Sequence, residues 1–428
     1  MEAYLVEFGN LLLRWLHVIA AIAWIGESIY FVMLDNSLKS PTDEAVKKRG
    51  VLGEMWAVHG GGFYHNQKYM TAPAELPKDL HWSFWKAYTT WLSGFALFVI
   101  MYMSNPSFYL ANPSSPWEWV RELSGWQVNA IAIVFLVAGW VVYDQLCRRL
   151  SPNMERDGAL SIAVAVMMVI VSYLSVHIFQ GRAAFLMTGA VMATAMSANV
   201  FFWIIPGQRR MVNAMKKGEA PNPLDGKRGK QRSVHNTYFT LPVVFLMLSN
   251  HYSFTYTSPY AWVIMSLFIF SGAAIRQYFV LRHLGQNKIA YPVFGVALLI
   301  VIAFLAAPAS KKPSPAKQPA ANVESTSENP AAGSDTAAGK EPASDAGASN
   351  EMARVMEIMQ ARCVQCHAAQ PTQAGFASAP AGMALETEQQ IMANPALIKQ
   401  VTASGYMPLA NITQMTDAER EFIANWNP

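Results

Sequence analysis

The C-terminal part of the chain contains the pentapeptide Cys363-Val-Gln-Cys366-His367. Two cysteines separated by two residues and followed at once by a histidine are typical of haem c attachment, in which the thiols bind the porphyrin and the histidine binds the iron. A zinc site would need further Cys or His nearby, and residues 351–428 contain no others. A thioredoxin-like thiol pair would need a βαβ pattern, which this segment lacks. The motif therefore predicts haem c held by Cys363, Cys366 and His367.

A haem iron bound by one histidine needs a further ligand, and Met407 is the best placed side chain for that role. It lies 40 residues after His367 and directly before Pro408, between two predicted helices. A thioether there would give a His/Met haem of raised potential. The competing methionines, several of which have the spacing of core residues, are Met352, Met356, Met359, Met383, Met392 and Met415. We predict His367 and Met407 as the iron ligands, and the segment resembles a class I cytochrome c.

Local signals place the haem motif near the end of a helix. Asn350 is expected to cap a helix that runs as far as the motif. Thr387 is expected to begin a second helix, and Thr416 with Glu419 has the spacing of a capping box that opens the last one. The apolar content of these helices is small, so a bound cofactor is expected to stabilise them.

The composition of the remaining chain excludes an ordinary soluble globule. Apolar residues make up 53% of the sequence and charged residues 14%, whereas soluble proteins average about 25% charged residues. Eight apolar runs are long enough to cross a membrane as helices, at roughly 9–33, 82–103, 126–146, 158–178, 183–205, 237–252, 260–281 and 289–307. The sixth is the most polar and is expected either to be broken or to line a polar cavity. We predict an all-α fold, an eight-helix transmembrane bundle followed by the small cytochrome c domain.

The distribution of lysine and arginine predicts how the bundle is oriented. Alternate connections between the spans contain 19 of these residues, and the intervening connections contain 2. Because basic loops stay in the cytoplasm, both ends of the bundle are expected on the outer side of a bacterial inner membrane. The N-terminus and the haem segment would then be periplasmic, which agrees with haem c attachment outside the cytoplasm. No basic stripe on a soluble surface is visible, so a nucleic-acid partner is not expected.

Residues 308–350 consist mainly of Pro, Ala, Ser, Lys and Glu, with almost no large apolar side chain. This composition is typical of a disordered linker, and a random coil of this length spans roughly 35–40 Å. The predicted domains are therefore a transmembrane domain at 1–307, a linker at 308–350 and a periplasmic cytochrome c domain at 351–428.

Ionisable side chains within the predicted spans are functional candidates. One face of the first span, at 100° per residue, contains Arg14, His17, Trp24 and Glu27. His17, His177 and His251 are all expected near the outer surface, where a cluster of them would bind a metal or a b-type haem, or act as acid and base. The alternative is that these histidines are interfacial or packing residues with satisfied hydrogen bonds.

The connection after the first span has a composition that suits a planar anion. Three consecutive glycines at 60–62 stand between His59 and a stretch that includes His65, Asn66 and Lys68. Aromatic faces, amide donors and a cation are the groups that a heteroaromatic anion needs, and glycine allows close backbone approach or a sharp re-entrant turn. The alternative is a membrane-surface loop with interfacial aromatics and a flexible hinge.

Polar residues also mark both ends of the sixth span. His235 and Asn236 lie at its inner end, and Asn250 lies at its outer end. Asp144 and Arg276 stand near the inner ends of other spans, and we interpret them as an ion pair or as snorkelling groups.

Several stretches of the membrane part are distinctive in combination, namely 15–26, 34–38, 56–64, 80–82, 87–94 and 234–252. They resemble the bacterial membrane-bound, cytochrome c-linked urate oxidases (urate hydroxylases), and the resemblance extends over essentially the whole chain. One departure is Glu27, which stands where that family has a small residue, so a shared catalytic role for Glu27 is not expected.

The resemblance implies that urate and water give 5-hydroxyisourate, two protons and two electrons, a step of purine degradation. It implies an oxidoreductase that contains haem c and uses cytochrome c where soluble uricases use O₂. The partners would be urate, membrane lipid and a respiratory-chain acceptor such as a cytochrome c or a terminal oxidase. Because one haem accepts one electron, either a second redox centre such as haem b lies in the membrane domain or the haem is reoxidised between two steps.

Histidine is the natural proton acceptor near neutral pH, and Arg, Lys or Asn can hold the urate oxygens. The predicted catalytic residues are His17, His59, His65, His235 and His251. The predicted urate-binding residues are Arg14, Trp24, Asn66, Lys68, Asn236 and Asn250. These residues fall on both sides of the predicted membrane, so the side from which urate arrives stays open.

Three other functions are compatible with parts of the pattern. The first is a dehydrogenase for another donor, such as a quinol, that feeds cytochrome c, and substrate screening would distinguish it. The second is a membrane-anchored electron shuttle, although an anchor needs one helix and no intramembrane Arg14 or His17. The third is a transporter with a fused redox sensor, which predicts urate uptake without haem reduction.

Overall fold

The computed structural model describes residues 2–69, 72–256, 258–307, 345–373, 379–380, 383–403, 405 and 407–427. The chain divides into two compact units, Met1–Ala306 and Ala307–Pro428. Both units are mainly helical, as the all-α prediction requires. Most of the predicted linker, at 308–344, lies outside the described residues, so its disorder stays a prediction.

Long helices build the first unit, and shorter elements connect them. The elements in chain order are α1 (Glu2–Ser37), α2 (Glu44–Lys48), β1 (Val51–His59), β2 (Gly62–Tyr69), α3 (Trp85–Phe98), α4 (Pro106–Tyr109), α5 (Glu118–Arg121), α6 (Gly125–Leu150), α7 (Asp157–Ile178), α8 (Gly181–Ala198), α9 (Ile205–Lys216), α10 (Pro223–Leu248), α11 (Ser253–Tyr256), α12 (Ala261–His283) and α13 (Ala290–Ala306). Two π-helices, Val99–Met103 and Asn199–Ile204, follow α3 and α8, and a 3₁₀ turn, Ser249–His251, follows α10.

Five helical segments of the described chain are long and apolar enough to cross a membrane. They are Phe8–Ser37, Gly125–Leu150, Asp157–Ile178, Gly181–Lys216 and Ala261–His283. The three other predicted spans fall on α3 with its π-helix, on α10 and on the shorter α13. α10 continues through Pro242, so the sixth span is not broken there. These helices are compatible with a membrane protein, and the eight-helix transmembrane bundle stays a prediction.

The most buried helix of the first unit is α8, which packs against α6, α7 and α10. Small residues allow the close approach, since a Cβ at Gly139 of α6 would lie 2.6 Å from Val191 of α8. α10 and α12 cross closely for the same reason, because a Cβ at Gly272 would lie 3.0 Å from Pro242. Such contacts are typical of packed membrane helices.

The connection after α1 contains a β-hairpin that the sequence analysis did not predict. β1 and β2 are antiparallel, and His59 pairs with Gly62 across the turn. The two residues between them, Gly60 and Gly61, have φ angles of 58° and 80°. A type I′ turn requires positive φ at both positions, and glycine adopts it without strain. The three glycines are therefore explained by the turn of the hairpin, and a flexible hinge is not needed.

The second unit packs short helices around a small apolar core. Its helices are α14 (Asp345–Arg362), α15 (Glu388–Met392), α16 (Pro395–Ala403) and α17 (Asp417–Asn425). The buried core residues are Val355, Ile358, Met359, Leu385, Ile391, Ile398, Met415, Ile423 and Trp426. The predicted capping role of Asn350 is wrong, because α14 begins earlier and contains that residue. The predicted starts at Thr387 and Thr416 are confirmed, and each has a capping box.

Glu419 of α17 fastens this last helix to the end of α14. Its carboxylate accepts hydrogen bonds from Nε and Nη2 of Arg362, at 3.2 and 3.1 Å, and from the backbone N–H of Thr416 at 2.7 Å. Burial opposes ionisation, but the Thr416 and Arg362 contacts outweigh it and lower the pKa of Glu419 below its ordinary value. The ion pair therefore stabilises the second unit only while Glu419 is ionised.

Candidate functional site

A buried group of polar side chains lies where α6, α8 and α10 meet. Arg232 of α10 is 2% exposed and donates a hydrogen bond to Asp144 of α6 at 2.7 Å. Trp203 Nε1 and Arg148 Nε donate to the same carboxylate at 2.7 and 2.6 Å. The guanidinium of Arg232 also lies 5.0 Å from the ring centroid of Trp203. Of the two predicted alternatives for Asp144, the ion pair is therefore present, with Arg232 as the buried partner, and Asp144 does not snorkel.

Asn199 connects this ion pair to His235. Its Oδ1 accepts from Arg232 Nη1 at 3.4 Å, and its Nδ2 donates to Asn236 Oδ1 at 2.8 Å and to the Tyr143 hydroxyl at 3.0 Å. The Tyr143 hydroxyl lies 2.8 Å from His235 Nδ1. Since that oxygen accepts from Asn199, its hydrogen is available for His235 Nδ1. In the tautomer that accepts this hydrogen on Nδ1, neutral His235 carries its proton on Nε2 and presents a hydrogen-bond donor.

A π-helix positions Asn199 in this group. Asn199 is the first residue of the segment Asn199–Ile204 between α8 and α9, and it is fully buried. π segments within α-helices occur frequently at functional sites, because they turn a side chain away from its regular direction. Asn199, Tyr143 and Arg232 were not among the residues predicted from the sequence. The available signal was the presence of polar residues within or beside apolar spans.

His17 lies at the contact between α1 and α3. Its Nδ1 is 3.0 Å from the carbonyl oxygen of Thr90 and 3.1 Å from Ser93 Oγ. A carbonyl oxygen only accepts, so Nδ1 carries the proton and Nε2 keeps its lone pair in the neutral ring. The ring packs over Gly94, where a Cβ would lie 2.7 Å from His17 Cε1. The half-buried His17 is therefore held in the form that can accept a proton.

The residues predicted to share the face of His17 have separate partners. Arg14 is exposed and donates to Asn10 Oδ1 at 2.8 Å. Glu27 pairs with Lys86 at 2.8 Å, which accounts for its side chain on α1 without a catalytic role. Trp24 packs against a small apolar cluster of α3 and the segment after α8. The structure thus places these side chains on α1 without gathering them around His17.

His65 is the best positioned side chain of the hairpin. Its ring stacks on that of Trp56, with centroids 4.2 Å apart, and its Nε2 donates to Glu54 Oε2 at 2.9 Å. Because a carboxylate only accepts, the neutral ring keeps its lone pair on Nδ1. A histidine oriented by a carboxylate and an aromatic face is suited to accept a proton.

The other hairpin residues that were predicted to bind an anion lie elsewhere. Asn66 and Lys68 are on the opposite face from His65, because successive strand residues alternate between faces. Lys68 pairs with Asp35 at 2.6 Å. His59 is exposed beside the turn. The side chains of His59, Asn66 and Lys68 therefore do not converge on one ligand with His65. The predicted roles of these four residues stay predictions.

The metal site considered for His17, His177 and His251 is not formed. His177 Nδ1 donates to the Tyr173 carbonyl at 2.7 Å, and its ring lies 5.0 Å from that of Trp117. His251 is exposed in the 3₁₀ turn after α10. Within the described ranges of the chain, no group of three or more His, Cys, Asp or Glu side chains could hold a metal ion. Haem b ligation by histidine pairs stays a prediction.

Asn250 belongs to a polar contact between helix ends. Its Oδ1 accepts from the Tyr102 hydroxyl at 3.3 Å, and its Nδ2 donates to the Met247 carbonyl at 3.1 Å. The Tyr102 hydroxyl also accepts from Arg182 Nε at 3.1 Å. These partners fix the side chain of Asn250 between α3, α8 and α10.

The predicted haem c residues of the second unit follow α14 directly. The N–H of His367 donates to the Cys363 carbonyl at 2.9 Å, which curls the motif into a turn. His367 Nδ1 donates to the Met383 carbonyl at 2.8 Å, so Nε2 keeps the lone pair that a metal needs. Cys363 and Cys366 are free thiols. Burial, together with the neighbouring Cys366 thiol, raises the pKa of Cys363 to about 12.

Met407 has a fixed backbone and a half-buried side chain. Its N–H donates to the Val401 carbonyl at 3.0 Å, and its carbonyl accepts from Arg420 Nη1 at 2.5 Å. Two competing methionines, Met359 and Met415, are buried in the apolar core, as their spacing predicted. Two free thiols, an imidazole with an available Nε2 and a thioether form a donor set that fits haem c. The binding of haem itself stays a prediction.

The architecture defines a helical protein of two units, the first with helices compatible with membrane crossing. Residues 3–307 match the model of the urate oxidase N-terminal family. Because this match extends over more than half of the chain, the protein belongs to that family. Membership supports a urate-related oxidation and therefore an oxidoreductase. No curated protein and no solved structure matches the chain.

Proposed function

We propose that the protein oxidises urate to 5-hydroxyisourate with water, as a cytochrome c-linked urate hydroxylase of the bacterial inner membrane. One observation carries the proposal: a chain whose residues 3–307 belong to a urate oxidase family also contains Cys363, Cys366 and His367 at haem c spacing. A haem motif on an oxidase chain supports the transfer of electrons through the second unit. In this proposal O₂ is not the direct acceptor.

The reaction defines what the chain has to do. Counted from neutral uric acid, one substrate molecule and one water give 5-hydroxyisourate, two protons and two electrons. The water oxygen forms a bond to C5, and a urate monoanion has already released one of the two protons. The chain must therefore bind a planar anion, accept a proton from water and conduct two electrons.

Hydrogen-bond directions separate the histidines by role. His17 keeps a lone pair on Nε2 and is the first choice for accepting a proton from water, with the Nδ1 of His65 as the second. When its Nδ1 accepts from the Tyr143 hydroxyl, His235 presents Nε2–H, which suits a hydrogen bond to a carbonyl oxygen of urate. His59 and His251 are exposed, and they rank below these three.

The second unit provides the outlet for the electrons. Haem c, when held by Cys363, Cys366, His367 and Met407, supplies a one-electron acceptor of raised potential. Because urate yields two electrons, a respiratory-chain partner has to take electrons from this unit twice in each turnover. A second centre such as haem b in the first unit is the alternative. The charge distribution of the connections supports a periplasmic second unit.

Anaerobic addition of urate to the oxidised protein in detergent tests the proposal. We expect the absorption bands of reduced haem c to appear with the wild-type protein. A double variant, Cys363→Ser with Cys366→Ser, should show neither the bands nor urate loss. Haem that urate leaves oxidised but dithionite reduces would reject urate as the donor. It would favour a dehydrogenase for another donor, such as a quinol.

A further inference from the structure

The first unit contains two buried arginines that differ in how their charge is balanced. Arg232 pairs with Asp144, as described above. Arg276 of α12 is 6% exposed, and among the described residues none accepts a hydrogen bond from its Nε or Nη2 atom. A guanidinium removed from water without an anion is strongly unfavourable. The fold supplies a carboxylate for Arg232 but leaves the charge of Arg276 for another anion.

The surroundings of Arg276 are built by the crossing of α10 and α12. One helical turn from the close contact between Gly272 and Pro242 lie Arg276 on α12 and Tyr238 on α10. Tyr238 is neutral and does not balance the charge. Its hydroxyl donates a hydrogen bond to Gln277 Oε1. This contact fixes the amide of Gln277, whose Nε2 carries two donor hydrogens.

A third donor stands about one helical turn away on α10. His235 stands three residues before Tyr238 on α10, and residues at this spacing are neighbours on a helix, with Cβ atoms about 5–6 Å apart. In the tautomer whose Nδ1 accepts from the Tyr143 hydroxyl, its Nε2 carries the proton. Arg276, Gln277 and His235 thus offer N–H groups and one positive charge. Several carbonyl acceptors and one negative charge on a planar molecule would complement them.

We propose that Arg276 is the anion-binding group of the urate site, with the amide of Gln277 beside it. The inference rests on the proposed function, because that function names the anion. The cations chosen from the sequence suit this role less well. Lys68 is already paired with Asp35, and Arg14 is exposed and bonded to Asn10.

An anionic lipid headgroup has the same charge as urate and is the rival source of the anion. Arg276 stands seven residues before the end of α12 at His283, which is about 10 Å along the helix axis. A phosphate would have to leave the headgroup layer and descend between packed helices to reach it. A small planar anion that is a substrate of the protein meets this requirement more easily.

Urate binding without turnover gives the most direct test. With the haem of the full-length protein kept reduced by dithionite, calorimetric titration with urate measures Kd alone. We expect Arg276→Gln to raise Kd by about 100-fold, the effect of losing charge-assisted hydrogen bonds away from water. Arg276→Lys keeps the charge and should raise Kd by less than Arg276→Gln does. Arg282 is an exposed arginine on the same helix and donates to Tyr278. Its variant Arg282→Gln is the matched control and should change Kd by less than about twofold.

Thermal unfolding without urate distinguishes binding from structural support. Because Arg276→Gln removes an unpaired buried charge, its Tm should equal or exceed that of the wild type. A clearly lower Tm would show that the charge stabilises the fold, and would overturn the inference. The inference would also be overturned if Arg276→Gln bound urate with the wild-type Kd. The same holds if phosphatidylglycerol stabilises the wild type but not this variant, while the urate Kd of the variant is unchanged. In all three cases haem reduction by urate in the wild type would leave the proposed function standing, whereas its absence would reject both.

Discussion

Replacing Asp144 with alanine should destabilise the first unit severely, and the structure allows the size of the effect to be worked out. Asp144 is 4% exposed and is the carboxylate partner of Arg232, which is 2% exposed. Breaking a buried pair by removing one member costs about 3–5 kcal/mol, since the remaining charge is left without compensation. Trp203 Nε1 loses its acceptor as well. With a total stability of about 5–15 kcal/mol for a typical domain, the variant should be close to unfolding.

The assay is equilibrium unfolding in mixed micelles, with two comparison variants. Arg148→Met removes the other, half-exposed partner of Asp144 and should cost at most about 1 kcal/mol. The double variant Asp144→Leu with Arg232→Met replaces the pair by apolar groups and should recover most of the loss. The reasoning is refuted if Asp144→Ala unfolds within about 0.5 kcal/mol of the wild type. It is equally refuted if the double variant is as unstable as Asp144→Ala.

Three further outcomes follow from the structure. Gly94→Ala places a methyl group 2.7 Å from His17 Cε1 and should reduce urate turnover by about 10- to 100-fold through loss of a positioned base. Gly26→Ala is the control and should leave turnover unchanged, because nothing lies within 4 Å of the new Cβ. Equal rates in the two variants would contradict the role of His17. Met407→Ala should retain covalent haem but lower its reduction potential in a redox titration. Replacement of the exposed Met392 is the control and should leave the potential unchanged. An unchanged potential in Met407→Ala would exclude Met407 as the ligand. Folding lowers the pKa of Glu419 below its ordinary value of about 4.5, so its contribution to stability is present above about pH 4.5 and is lost as the pH falls through the folded pKa. Glu419→Gln should abolish this part of the acid dependence of unfolding, and an identical pH profile would refute the expectation.

The features that sequence predicted well depend on local chemistry. The capping boxes at Thr387 and Thr416 need only a hydroxyl and a side chain three residues on, and both form. The apolar runs all fall on helices, because helix formation in an apolar segment satisfies its own backbone. The predicted start of α14 at Asn350 was wrong, because Asn350 resembles a cap when only its sequence neighbours are considered. Nothing local shows that the helix continues towards the N-terminus.

The features that sequence missed depend on which helices are neighbours. Asp144 and Arg232 are 88 positions apart, and no spacing rule links them. The hairpin was missed because three glycines fit a flexible hinge as well as a type I′ turn, and the choice depends on strand pairing. The unbalanced charge of Arg276 is visible only when the side chains around it are known. Sequence therefore identified candidate residues of the first unit, but it could not group them into a site.

The source of the oxygen atom distinguishes hydroxylation of urate by water from oxidation by O₂. Urate is supplied in ¹⁸O-labelled water without O₂, with oxidised cytochrome c as the electron acceptor, and the first product is analysed by mass spectrometry. Our account predicts one ¹⁸O atom in 5-hydroxyisourate and two molecules of cytochrome c reduced for each urate. No product without O₂, or product labelled from ¹⁸O₂ in ordinary water, would contradict it.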